Sequence, residues 1–171
     1  MDVILYMAMS VNGMIARPQG GVDFLTDAEW KSYARAVKGT DCLIVGRKTF
    51  EIMRSHDEFS KIAAKRIIIF SSKPLHHDMP TVAVVNDRPA RVIDALKKEG
   101  VASVLVAGGA ELNASFMKAG LINDIILDIE PIMLGSGIRL FADSDFEARL
   151  ELIGTKKLST NEIQLHYKVK K

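Results

Sequence analysis

The stretch DCLIVGRKTFEIM, residues 41–53, decides the fold. Residues 42–45 form a short apolar run bounded by a turn residue, the pattern of a buried strand. Gly46 ends that strand, and Arg47, Lys48 and Thr49 open a helix. Glycine at such a junction lets backbone approach backbone or ligand with no Cβ in the way. A helix start leaves N–H groups unpaired, which makes it a seat for an anion. Arg47 and Lys48 add two positive charges there, and Thr49 adds a hydroxyl. The spacing predicts a strand–glycine–helix unit with phosphate-binding character.

Outward from this unit, strands and helices alternate. Residues 3–9 (VILYMAM) read as a buried strand, followed by the Asn12-Gly13 turn and a short apolar piece at 14–16. Residues 17–23 hold Pro18, Gly20 and Gly21, so an exposed, mobile loop is expected. Thr26 and Glu29 fit a capping box, and Trp30, Tyr33, Ala34 and Val37 share one face of the helix that follows, with Gly39 at its end. Strands are predicted at 66–70, 81–85, 103–107 and 123–130, and helices at 88–99 and 110–119. Residues 150–157 and 163–169 alternate as strands around Thr160-Asn161, an antiparallel hairpin. This order argues an α/β fold with a mainly parallel central sheet, helices on its faces and an antiparallel C-terminal hairpin. With no linker or internal repeat, residues 1–171 read as a single domain.

Composition narrows the function classes. A chain of 171 residues, 48% of them hydrophobic, can bury a sizeable core. Net charge is only +2, so nucleic-acid binding is not favoured; Lys156, Lys157, Lys168, Lys170 and Lys171 read as solvated strand ends. The one cysteine, Cys42, precludes an intrachain disulfide and fits a small core residue. The four histidines show no metal-ligand spacing, and no metal is expected. With no 18-residue apolar span and no signal-like start, the expectation is a cytoplasmic protein with no membrane partner.

Ligands of open α/β sheets bind beyond the C-terminal strand ends. Three such ends carry phosphate-compatible groups: Gly46-Arg47-Lys48-Thr49, Ser71-Ser72-Lys73, and Gly108-Gly109 before the helix at Ala110. Each alone also fits plain folding geometry; together they point to an extended ligand with several phosphates, as in a dinucleotide. No G-x-G-x-x-G follows a strand and no G-x-x-x-x-G-K-[ST] occurs, which disfavours a standard Rossmann domain and a P-loop NTPase.

The segments MAMSVNGMIA, LIVGRKTFE, IIIFSSKP, VLVAGGAELNASFM and EPIMLGSGIRLF, in this order, span nearly the whole chain. In them the chain resembles the dihydrofolate reductase superfamily, and within it the reductase domain of riboflavin biosynthesis. The resemblance implies a three-layer dihydrofolate reductase-like fold, NADPH as cofactor and hydride transfer to a small heterocycle. It implies that Ala8 and Ile15 line the nicotinamide region, and that Gly46, Arg47, Lys48 and Thr49 hold phosphates. Ser71 and Ser72, with Arg47, would meet a 2′-phosphate; Gly108, Gly109, Ala110, Glu111 and Leu112 would wrap the pyrophosphate. It also implies a homodimer.

Reduction of a C=N or C=O bond needs a proton on the heteroatom. Asp27, three residues before Trp30, matches the acid that binds pterin in dihydrofolate reductase; it equally fits a first-turn helix acid favoured by the dipole. Asp128, inside IILDIE, is the other candidate, as a pocket acid or as an outward strand residue. Asn12 and Trp30 are the expected substrate contacts, Asn12 standing where riboflavin-type reductases commonly have Asp. Substrates in competition are the ribosylaminopyrimidine of riboflavin synthesis, dihydrofolate, and another pterin-like or carbonyl compound. A non-catalytic NADP(H)-binding module is the alternative from a different class. The H-x-E and P-C-x-x-C pattern of a zinc deaminase is absent.

Overall fold

β1 (Asp2–Ser10) runs through the interior of the sheet with neighbours drawn from much later in the chain. The computed structural model describes residues 1–170; Lys171, one of the basic C-terminal residues, lies outside them. After β1 come β2 (Met14–Ala16), α1 (Asp27–Gly39), β3 (Cys42–Gly46), α2 (Arg47–Ser55), β4 (Ile67–Phe70) and β5 (Val82–Val85). Then follow α3 (Pro89–Lys98), β6 (Ser103–Val106), α4 (Ala110–Lys118) and β7 (Asp124–Glu130). β8 (Ile138–Arg139), β9 (Arg149–Lys157) and β10 (Ile163–Lys170) complete the described elements. The eight-stranded sheet has the order β5-β4-β3-β6-β1-β7-β10-β9, and β2 pairs with β8 beside it. β10 is antiparallel to both β7 and β9, while the remaining pairs of the large sheet are parallel. The expected mainly parallel sheet with a C-terminal antiparallel hairpin is therefore present.

Alternation along the strands splits the core into two layers. Val3 and Leu5 of β1, Ile44 of β3 and Val106 of β6 pack against α3 and α4 through Ile93, Leu96 and Phe116. Tyr6, Leu43, Val45 and Leu105 face the opposite way and pack against α1 and α2 through Tyr33, Val37, Phe50 and Met53. The central strands β3, β4 and β6 are buried on both faces, which explains their unbroken apolar runs. Cys42 is buried in the α3–α4 layer, and burial pushes its thiol up to about 11, so it is a core residue rather than a nucleophile.

Two local details sharpen: the exposed loop at 17–23 carries internal hydrogen bonds, and the capping box is only partly made. The loop at 17–23 is folded on itself: Arg17 N donates to Gly21 O at 2.8 Å, and the Arg17 guanidinium pairs with Asp23 at 2.6 and 2.8 Å. The capping box at the start of α1 is half made. Glu29 N donates to Thr26 Oγ1 at 3.2 Å, but Thr26 N donates to Glu130 Oε1 at 3.3 Å instead of to the Glu29 carboxylate. β7 supplies the return bond, which leaves the Glu29 side chain free.

Phe116 has no exposed surface and meets Phe70 edge-on at 5.7 Å between ring centroids. Phe116→Ala leaves a cavity between α4 and the sheet, so chemical denaturation is expected to show a loss of about 3–5 kcal/mol.

Candidate active site

The ends of β3 and β6 are drawn together at the C-terminal edge of the sheet. Gly46 N donates to Gly108 O at 2.7 Å, and a Cβ on Gly46 would stand 3.5 Å from Gly109 N. Gly108 has φ +88° and is followed by a cis peptide to Gly109. The positive φ favours glycine, and a Cβ there would also crowd the Met7 side chain, 3.0 Å from its Sδ. Directly beyond, α2 starts after Gly46 and α4 after Gly109, and neither start has a side-chain cap. Their orphan N–H groups and the positive ends of their dipoles are directed to one place.

That place is a cleft of about 1140 Å³. Ligand pockets commonly run from ~300 to ~1,000 Å³, so there is room for a large ligand or for two side by side. One half is walled by the strand-end units. Ala8, Ile15, Gly46, Arg47, Lys48, Thr49, Ser71, Ser72, Gly109, Ala110, Glu111 and Leu112 all line the cleft. Arg47 Nε pairs with Glu51 of its own helix at 2.8 Å, whereas no described ion pair engages Lys48 or Lys73. Ser71 Oγ donates to Lys73 O at 2.6 Å, which folds the turn after β4.

The other half lies between α1 and the C-terminal end of α2. Its wall is Leu25, Glu29, Trp30, Tyr33, Met53 and Glu58. The rings of Trp30 and Tyr33 are 5.9 Å apart, those of Tyr33 and Tyr6 5.6 Å, and Tyr33 Oη donates to Met53 Sδ at 3.9 Å. An aromatic shelf of this kind suits a flat ring system.

Glu29 and Glu58 are the acids of this half, and the sequence reading had assigned Glu29 only a capping role. Its side chain is buried yet lines the cleft. Burial, followed by the nearby carboxylates of Asp128, Glu130 and Glu58, pushes its carboxyl up to about 8. Asp27 is exposed on the far side of the same helix turn and does not line the cleft. The signal for Glu29 was present: it continues the stripe Tyr33–Val37 backwards at intervals of four, and Asp27 does not.

Asp128 sits one layer down, with 1% of its surface exposed. It accepts from Tyr6 Oη and from Gln164 Nε2 (2.7 Å), and Gln164 Nε2 also reaches Ser32 Oγ at 3.0 Å. Burial raises its pKa, opposed by the hydrogen bonds from Tyr6, Gln164 and Ser32. Tyr6 lines the cleft, so Asp128 lies one hydrogen bond behind the cleft wall. Next along β7, Glu130 is pushed up to about 7 by burial and by Glu162, and its Oε2 has no hydrogen-bond partner. Glu162 in turn accepts from Thr26 Oγ1. Asn12 lies outside the lining. Its Nδ2 donates to Leu134 O at 2.7 Å and its Oδ1 accepts from Leu134 N at 3.1 Å, pinning the loop after β7.

Glu29 generates a stability signature with a definite sign. Its carboxyl gives up a proton near 8 in the folded chain, against 4.5 ordinarily. Between these values the unfolded chain is ionised and the folded chain is not, so rising pH favours unfolding, and the full penalty is present above about pH 8. Glu29→Gln is expected to raise Tm at pH 9, reflecting a gain in stability on the order of a few kcal/mol, with the advantage vanishing below about pH 4.5. Calorimetric scans of both proteins across pH check this.

Comparison with known proteins follows the same outline. The family model for the RibD C-terminal domain matches residues 2–164. The chain is 34% identical over 167 residues to the uncharacterized protein YwjB of Bacillus subtilis, covering 96% of this chain and 95% of that one. A pyrimidine reductase-like protein from Corynebacterium diphtheriae superposes with a TM-score of 0.80 at 15% identity, over 99% of this chain and 92% of that one. Dihydrofolate reductase from Enterococcus faecalis, solved with NADP(H), superposes with a TM-score of 0.75 at 16% identity, over 99% and 97%. The two structures establish a dihydrofolate reductase-like fold. The match over residues 2–164 and the relative at 34% identity show that this chain belongs to the RibD C-terminal domain family.

Proposed function

We propose that the chain is an NADPH-dependent reductase acting on a C=N or C=O bond of a small heterocycle. The observation that carries this reading is the convergence of two uncapped helix starts and the cations Arg47, Lys48 and Lys73 on a cleft whose opposite wall is aromatic and acidic. The residues present fit a dinucleotide. Orphan N–H groups of α2 and α4, with no Cβ at Gly46 or Gly109, suit a pyrophosphate. Arg47, exchanging Glu51 for ligand, offers a planar fork to a 2′-phosphate beside Ser71 and Ser72. Gly108 supports this wall from behind, through its carbonyl bond to Gly46. Ala8 and Ile15 form an apolar floor that keeps water from the reacting ring.

When bound, NADPH supplies the hydride that adds to carbon, and the heteroatom then takes a proton. Glu29 is the proton donor in this reading. Its carboxyl is still protonated at neutral pH and it faces the aromatic shelf where a flat substrate would lie. Trp30 and Tyr33 stack the substrate ring. Asp128 orients Tyr6, and Asn12 holds the neighbouring loop. The exposed apolar side chains of Leu150, Leu152 and Ile153 on edge strand β9 support the homodimer that the resemblance implies, which light scattering would measure.

NADPH titrated into the protein is expected to bind at micromolar concentration, and Arg47→Ala to weaken NADPH at least about tenfold more than NADH. Equal losses for the two would remove the 2′-phosphate assignment. Glu29→Gln should leave NADPH affinity in place and lower steady-state oxidation about 10²- to 10³-fold. Binding without oxidation across pterins and pyrimidines would support the non-catalytic module instead.

A further inference from the structure

We infer that the substrate is an uncharged heterocycle bearing N–H donors, with neither a phosphate nor a carboxylate tail. This rests on the reductase reading above and goes beyond it by excluding two of the anionic substrates it allows. The inference comes from how charge is divided across the cleft. Every cation among the described lining residues, namely Arg47, Lys48 and Lys73, belongs to the strand-end units that would hold the dinucleotide, where Glu51, Asp87 and Glu111 also line the cleft. The half between α1 and the end of α2 is lined by two acids, Glu29 and Glu58, and by no described cation.

The cations near this half are turned to other work. Arg17 is held by Asp23 through two hydrogen bonds. Arg54 lies over the Phe50 ring, 5.5 Å from its centroid, and donates to His76 O at 3.0 Å. Lys61 donates to His56 O at 3.3 Å, and none of the three lines the cleft. A phosphate or carboxylate held in this half would lose water there and find no cation among the described lining residues. It would meet Glu58, whose carboxyl is partly withdrawn from water and already faces the nearby charges, His56 at 4.0 Å and Lys61. An amino or ring N–H group, in contrast, is what the acceptor oxygens of Glu29 and Glu58 can take.

Two matched pairs test this in the intact protein saturated with NADPH: a ribosylaminopyrimidine and its 5′-phosphate, and 6-methyl-7,8-dihydropterin and dihydrofolate. Calorimetric titration is expected to show the uncharged member of each pair binding at least about tenfold tighter. Glu58→Gln should narrow the gap and Glu58→Arg should close or reverse it, with circular dichroism confirming that each variant is folded. Equal or tighter binding of the anionic members overturns the inference, as does a gap that neither folded variant changes, or binding by neither pair. NADPH oxidation followed in parallel separates the two readings. A gap in affinity with no oxidation keeps the charge inference and sinks the reductase, whereas oxidation that prefers the phosphorylated member does the reverse.

Discussion

One backbone hydrogen bond, from Gly46 N to Gly108 O, sets the geometry on which the candidate site depends. β3 and β6 are adjacent and parallel, so their C-terminal ends already lie side by side. The bond carries that adjacency one step past the sheet, to the point where two helices begin. Position 108 needs glycine for its positive φ of +88°, and at position 46 a Cβ would rest in ordinary contact with Gly109, 3.5 Å away. With glycine at both, two rows of unpaired N–H groups open on the same volume. The cations follow from this arrangement, because Arg47 and Lys48 are simply the first residues of α2.

The opposite wall is built by a different principle. Tyr6, Asp128 and Gln164 come from three adjacent strands, β1, β7 and β10, and all face α1. Thr26 begins α1 by bonding Glu130 of β7 and Glu162 beside β10. Carboxylates therefore anchor the helix to the sheet, and crowding them in a buried place holds the protons on Glu29 and Glu130 near neutral pH. The two walls differ: one gathers the helix-start donors and all the lining cations, alongside Glu51, Asp87 and Glu111, while the other has acids and no described cation. A ligand that is polyanionic at one end and rich in N–H groups at the other matches both.

Much of this was legible in the residues, and what was not has a physical reason. Strand, glycine and helix start are local signals, so the units at 46–49, 71–73 and 108–112 could be read directly, and residues 46–49, 71–73 and 109–112 appear together in the cleft with Gly108 just behind its wall. The phase of α1 was the point of failure. Asp27 and Glu29 are two residues apart and so lie on nearly opposite faces of one helix, and the spacing to Trp30 chose the outer one. The capping pattern then supplied a ready explanation for Glu29, which β7 overrides by bonding Thr26 itself. Asp128 could be marked as unusual but not placed, since its partners Tyr6 and Gln164 are 122 and 36 residues away. Asn12 stands beside the site in sequence, yet both ends of its amide are taken by Leu134.

The position of β1 has a consequence for how the chain reaches this structure. Its first hydrogen-bonded neighbours are β6, where Asp2 lies opposite Ser103, and β7, where Ile4 lies opposite Asp124. The first strand made is thus the one whose edges stay open longest. During synthesis from the N-terminus, β3, β4 and β5 can zip as a local parallel ribbon while β1 waits for residues more than 100 positions downstream. Closing such long loops makes high-contact-order folding slow. Joining β6 between β3 and β1 also brings Gly108 to Gly46, so the phosphate wall forms only once strands from both ends of this span have met.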